Sequence, residues 1–217
     1  MPSNQLKIYL KMTKVKILVP ILFFILLQSC YKAPTKLPVL GKMEIKGGDT
    51  TFHQIPDFSF IDQDSQIVNN TTFAGKIYVA DFFFTSCPTI CPKVKAQVLR
   101  IYERFEDEDM LKYLSHSIDV KRDTVGRLKW FADKLEISSD RWHLITGDES
   151  EIYDIADDYW SVAIKDEGAP GGFDHSGRLL LIDPQRRIRS YCEGTDAEDV
   201  DRFMEDIVML LDEVKVP

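Results

Sequence analysis

From residue 50 onward the hydrophobic positions fall into short runs that alternate between strand-like and helix-like spacing. Phe58–Asp62 and Gln66–Val68, joined across Asp64-Ser65, read as a hairpin that opens the folded part. Ile77–Phe84 (IYVADFFF) is a nearly unbroken apolar run of strand-favouring residues, the pattern of a central strand covered on both faces. A helix is predicted from about Pro92 to Glu106, because Val94, Val98, Ile101 and Phe105 recur at spacings of four, three and four and share one face. The acidic run Glu103–Asp109 at its far end is a solvated surface in the simplest reading. Leu114–Val120 is a second strand, Thr124–Leu135 a helix, and Trp142–Ile145 a short third strand followed by a helix through Tyr153–Tyr159. Leu179–Asp183 and Ile188–Cys192, separated by Pro184-Gln185-Arg186, form a closing hairpin. Ala197–Val214 is the last helix, with Phe203, Ile207, Leu210 and Leu211 on one side.

A βαβ unit, further alternation, then a hairpin and a helix is the element order of a thioredoxin-like α/β domain: a central mixed sheet flanked by helices, here with an added N-terminal hairpin. The 217 residues suffice for one core of ordinary size, and a hydrophobic fraction of 44% with 29% charged residues fits a soluble globular protein. The net charge of −8 is uneven. Residues 1–29 hold Lys7, Lys11, Lys14 and Lys16 and no acid, so the remainder carries −12. Such a body repels nucleic acid and anionic lipid and favours cationic ligands or basic partner surfaces.

The first thirty residues follow the plan of a secretory signal: a basic stretch to Lys16, the apolar run Ile17–Leu27, then Gln28-Ser29-Cys30. Eleven apolar residues are too few to span a bilayer, which takes roughly 20 in a helix. Leu27-Gln28-Ser29-Cys30 resembles a bacterial lipobox, although Gln28 is atypical there, and implies lipidation at Cys30; a simple signal peptide is the alternative. Met12 would also serve as a start, with Lys14 and Lys16 as the basic region. The expected organisation is a signal peptide over 1–29, a Pro/Gly-containing tether over 30–50 and the folded domain over 51–217. The expected location is extracytoplasmic, with membrane attachment only through the lipid.

With Cys30 set aside, the remaining cysteines are the pair Cys87 and Cys91 and the distant Cys192, which reads as a small buried hydrophobe. Ser86-Cys87-Pro88-Thr89-Ile90-Cys91-Pro92 lies between the apolar strand and the helix, with Pro92 suited to the first helical position. A helix N-terminus stabilises thiolate, the state needed both for metal ligation and for thiol–disulfide exchange. Three intervening residues, against the two of thioredoxin-type redox motifs, keep both sulfurs on one side of a first turn, close enough to grip one ion or to form a disulfide. A structural zinc site would need two further ligands at short spacing, and no such pair is visible. A loop of five residues gains little from a purely stabilising disulfide.

Of the four histidines, His116 and His143 sit within or beside strands and read as packed residues, and His53 has no supporting context. His175 ends the turn-rich run Asp166–Asp174 and precedes a strand. In a thioredoxin-like topology that loop meets the sheet beside the first βα turn, where the cysteine pair lies. Two soft thiolates with one imidazole suit copper.

Three segments in order carry a resemblance to the Sco/SenC family: FFFTSCPTICPKV (Phe82–Val94), SIDVKRDT (Ser117–Thr124), where Val120 replaces a common proline, and FDHSGRLLLIDPQRRI (Phe173–Ile188), with WHLITG (Trp142–Gly147) as a weaker fourth. The resemblance implies a thioredoxin-like copper chaperone linked to cytochrome c oxidase assembly. It implies Cu(I) or Cu(II) bound by Cys87, Cys91 and His175, and delivery to the oxidase's binuclear copper centre, or reduction of that centre's cysteines. The partner so implied is the oxidase's copper-containing subunit or another copper or thiol protein, met by a monomer. Asp119, Asp123 and Asp174 are candidates for tuning the site or for docking; Asp119 and Asp123 read equally as a strand terminus and a helix cap. Ordinary thioredoxins place a cis-proline where this chain has Asp174-His175-Ser176-Gly177, which favours metal binding over general disulfide exchange. A thiol–disulfide oxidoreductase using Cys87 and Cys91 is the main alternative, with a thiol peroxidase and a copper-responsive sensor behind it.

Overall fold

The computed structural model describes residues 36–46, 49–166 and 168–215. The signal segment, the alternative start at Met12 and Cys30 lie outside the described residues, as do the side chains of Lys46, Asp49 and Asp174.

The chain opens with a two-stranded antiparallel ribbon, β1 (Met43–Lys46) and β2 (Asp49–Phe52). Next come β3 (Ser59–Asp62) and β4 (Ile67–Asn69), the hairpin expected from the alternation around Asp64-Ser65. The first βα unit is β5 (Ile77–Phe83), buried at every position, and α1 (Cys91–Arg104). It continues through β6 (Leu111–Ser117), α2 (Val125–Leu135), β7 (Trp142–Thr146) and α3 (Glu149–Asp158). A small ribbon of β8 (Ala163–Lys165) and β9 (Phe173–His175) precedes the closing hairpin β10 (Arg178–Ile182) and β11 (Ile188–Glu193), and α4 (Ala197–Lys215) ends the domain.

Seven strands form one mixed sheet in the order β11-β10-β5-β6-β7-β3-β4. β5, β6 and β7 are parallel, and the hairpins flank them antiparallel. This is the thioredoxin-like α/β arrangement expected from the element order. Alternation along β5 divides its side chains between two layers. Phe83 stacks on Phe131 of α2 and lies under Lys95 of α1, whereas Phe82 faces Tyr159 beyond α3. His116 is fully buried against Phe82, ring centroids 4.5 Å apart, and burial lowers its pKa to about 4, so it is a neutral core residue. His143 is held by Asp62 at 2.9 Å. His53 Nε2 sits 2.8 Å from the Asp158 carbonyl. Cys192 is buried and unpaired.

Two places differ from the sequence expectation. The segment read as a tether carries β1 and, before it, a docked stretch: Leu37 is buried, Leu40 N–H donates to the Ile188 carbonyl at 2.8 Å, and Arg189 donates to the Leu37 and Pro38 carbonyls at 2.6 and 3.0 Å. Arg189 also pairs with Glu213 at 2.6 Å, so the docking rests on partners about 150 and more residues away. The turn-rich run before His175 ends in β9, which pairs with β8 just ahead of the run; the apolar content of both was too small to register as strands.

Candidate metal centre

β5 runs out of the sheet at Phe83, and the chain turns through Phe84–Ile90 before α1 begins at Cys91. The turn is pinned from below. The Asp123 carboxylate accepts the Thr85 amide at 2.9 Å, the Thr85 hydroxyl at 2.6 Å and the Ser117 hydroxyl at 2.7 Å. Arg127 Nε donates to the same Thr85 hydroxyl at 3.0 Å. Asp123 is fully buried, and the cap of α2 is instead the neighbouring Thr124, whose hydroxyl accepts the Arg127 amide. Asp123 thus holds the cysteine-bearing turn and touches neither sulfur. Asp119 accepts the Arg122 and Asp123 amides with its carbonyl and meets Arg122 with its carboxylate at 3.5 Å; burial raises its pKa. Asp174 lies in β9, opposite Ile164.

His175 reaches the pair from the other side. It closes β9 in register with Ala163, and Ser176 fixes the next step through its amide to the Val162 carbonyl and its hydroxyl to Ser161 at 2.9 Å. The Phe84 ring abuts the imidazole edge-on, centroids 5.3 Å apart, and packs on Phe173 at 5.1 Å. Gly171 allows this. Its φ of +83° favours glycine, and a Cβ there would stand 2.7 Å from the Phe84 ring.

The result brings His175 to a cysteine pair 84 and 88 positions away. His175 Nε2 lies 3.4 Å from Cys91 Sγ and 3.6 Å from Cys87 Sγ, and all three donor atoms fall within 4.8 Å of one another. All three residues are at least nine-tenths buried. With metal–sulfur and metal–nitrogen bonds of about 2.3 and 2.0 Å, a shared ion places S and N roughly 3.5–3.8 Å apart, close to the two sulfur–nitrogen distances found here. Among the described residues no fourth His, Cys, Asp or Glu joins the group. A closed four-ligand zinc site is therefore not what they build, whereas two thiolates and an imidazole suit copper. Nε2 is the ring nitrogen that faces both sulfurs, and His175 Nδ1 is buried without a partner.

The two thiols are unequal. Burial opposes ionisation of Cys87, yet the backbone N–H groups of Thr89 and Cys91, with His175 and the Cys91 thiol, outweigh it and bring the pKa to about 6. The Thr89 N–H belongs to the turn and the Cys91 N–H to the first residue of α1, which has no side-chain cap competing for it. Cys91 goes the other way: burial, aided by the adjacent Cys87 sulfur, overrides a hydrogen bond from the Phe84 backbone and pushes its pKa well up.

Sequence reasoning missed what lies beneath. Lys95, one turn after Cys91, is buried and donates to both Asp81 carboxylate oxygens at 3.1 and 2.8 Å and to Ser115 Oγ at 2.7 Å. Its ammonium sits 4.0 Å from the Phe83 ring centroid, and Trp142 Nε1 closes the network on Ser115 at 2.9 Å. Burial lowers the Lys95 pKa against the pull of Asp81. The signal was there: an aspartate inside a strand otherwise apolar on both faces requires a buried partner.

The SCO1/SenC family profile matches residues 47–212. The SCO1 protein homolog of Bacillus subtilis is 27% identical over 169 residues, spanning 77% of this chain and 86% of its own length. A solved SCO1/SenC family lipoprotein from Bacillus anthracis superposes with a TM-score of 0.67 at 27% identity, covering 73% of this chain and 95% of that one. BsSco, described as a member of the Sco family of cytochrome c oxidase assembly proteins with a disulfide switch, superposes at 0.64 with 26% identity over 76% of this chain and 95% of its own.

Proposed function

The chain belongs to the SCO1/SenC family, and on that premise we propose that it binds copper through Cys87, Cys91 and His175 and delivers it to, or prepares the cysteines of, the binuclear copper centre of cytochrome c oxidase. The observation that carries this reading is the convergence of two sulfurs and one imidazole nitrogen within 4.8 Å, with no further ligand among the described residues. Copper is cargo here. With its pKa brought to about 6, Cys87 is the more readily ionised thiol and the first to engage an arriving cation. Cys91, protonated in the empty site, releases a proton on loading, so uptake strengthens as pH rises. A site of three ligands leaves room for an incoming donor from the recipient, so transfer proceeds by exchanging ligands one at a time.

The test is copper binding by the wild type and by His175→Ala, followed by thiolate-to-copper charge-transfer absorption and by competition with a chelator of known affinity. Loss of an outer partner of a metal ligand costs about 10–100-fold in affinity, so loss of the ligand itself should cost more. Unchanged affinity with a native fold would overturn the three-ligand site. The unequal thiols support a second reading, thiol–disulfide exchange with Cys87 as nucleophile and Cys91 as its partner. His175→Ala distinguishes the two: reduction of a disulfide substrate without copper survives it, whereas copper delivery does not.

The same proposal places the protein outside the cytoplasm, tethered by lipid at Cys30. The basic stretch, the apolar run Ile17–Leu27 and Leu27-Gln28-Ser29-Cys30 support it. No helix among the described residues is long and apolar enough to cross a membrane. Cys30→Ala should move the protein from the membrane fraction to the soluble one, and retention there would overturn the lipid tether.

A further inference from the structure

A groove of about 360 Å³ runs between α1 and α2 and ends on the two thiols. Pro92, Ala96 and Leu99 of α1 form one wall, and Phe131, Lys134 and Leu135 of α2 the other. Phe84 and Lys95 line it as well, and no carboxylate does. The charge of Lys95 is already matched by Asp81. Lys134 is exposed, forms no ion pair among the described residues, and stands 5.5 Å from the ring of Trp130. Trp130 is 48% exposed and carries the Arg127 guanidinium over its face at 4.2 Å. A chain with a net charge of −8 thus presents, beside its thiols, an apolar groove with Lys134 on its wall and the exposed Trp130 next to that lysine.

The dimensions fit extended chain. From Cys91 to Leu99 is eight residues of helix, about 12 Å, which corresponds to about four residues of a strand-like segment. The lining sets the chemistry: apolar side chains between the helices, and an acidic side chain opposite Lys134. Both cysteines are nearly closed to bulk solvent, at 8% and 5% exposure, and line the end of the groove.

We propose that this groove receives an extended segment of the recipient protein, about four residues long, apolar with an acidic side chain facing Lys134, so that a cysteine on that segment arrives beside Cys87. The inference rests on the reading of the protein as a copper donor and adds how the recipient is recognised. It gives Lys134 and Ala96 a role in docking and none in holding copper.

The experiment measures binding of the copper-free soluble domain of the same organism's copper-containing oxidase subunit to the full chain by calorimetry. Copper uptake by each variant is measured in parallel. Ala96→Arg, which fills the groove from an exposed helix position, and Lys134→Glu, which reverses its rim charge, should each weaken binding at least tenfold while copper uptake stays as in the wild type. Lys42→Glu, the same charge change outside the groove, should leave binding unchanged. Equal weakening by Lys134→Glu and Lys42→Glu, or wild-type binding by Ala96→Arg, would overturn the groove. Absence of domain binding by a wild type that still takes up copper would overturn it too, and absence of copper uptake would instead overturn the donor reading.

Discussion

The Asp123 carboxylate binds Thr85 twice, accepting its amide at 2.9 Å and its hydroxyl at 2.6 Å, two residues ahead of Cys87. Because Asp123 follows β6, this contact ties the end of one central strand to the turn that leaves another. Asp123→Ala would strand a backbone amide and the Ser117 hydroxyl, at about 1–3 kcal/mol for each group left unsatisfied. The expected outcome is a loss of at least about 2 kcal/mol in urea unfolding, together with weaker copper binding because Cys87 loses its footing. An unchanged urea midpoint would show that the turn is held by other contacts.

The unequal thiols predict a pH profile for the metal-free protein. Alkylation of Cys87 should rise through a midpoint near 6, while Cys91 stays slow well into the alkaline range. The folded-state pKa of Cys87 is depressed from an ordinary value of 9.0, so its ionisation stabilises the fold. That contribution is complete above about 9 and is lost as pH falls through about 6. Rates followed by mass spectrometry at each cysteine check the assignment, and equal midpoints would contradict it.

Two adjacent glycines offer a matched pair of substitutions. Gly171 and Gly172 both have positive φ, at +83° and +88°, but only at Gly171 would a Cβ strike the Phe84 ring. Gly172→Ala should lose roughly 1–2 kcal/mol for the backbone alone. Gly171→Ala should lose more and should also weaken copper binding, because displacing Phe84 moves the ring that abuts His175. Thermal unfolding and copper competition on both variants measure the difference, and identical behaviour would rule out a role for the Phe84 contact.

The buried pair beneath the site predicts a strong asymmetry between breaking it and replacing it. Asp81→Asn leaves the Lys95 ammonium without its counter-charge and should cost about 3–5 kcal/mol. Replacing both, as Asp81→Leu with Lys95→Met, should recover most of that loss, since apolar pairs of similar volume often match a buried ion pair. Chemical denaturation of the two variants gives the comparison. A double variant as unstable as Asp81→Asn would mean that Ser115 and Trp142 depend on the pair for their own positions.

Much of the fold was legible because its signals are local. The apolar run at Ile77–Phe83 has a single stable placement, buried on both faces, and the spacing Val94, Val98, Ile101 has a single helical face. Boundaries moved by up to four residues: α3 starts at Glu149, where its first turn is acidic and polar, and β6 starts at Leu111, where Lys112 interrupts the apolar run. The β8–β9 ribbon and the docked Leu37–Leu40 segment were hidden because partners distant in sequence hold them, and neither has a hydrophobic period of its own.

For the site, the sequence by itself determined the ligand types: two cysteines at the start of a helix, and a histidine in a turn-rich run before a strand. Local backbone preference dictates those placements, and three ordered motifs added the expectation of copper. Only the tertiary structure decided that the three donor atoms meet, because His175 is brought to the cysteines by pairing in two separate sheets and by a close approach at Gly171. It also assigned Asp123 to the turn instead of the helix cap, and supplied Lys95 as the partner of Asp81. Each of these depends on a contact between residues far apart in the chain, and sequence spacing carries no record of such a distance.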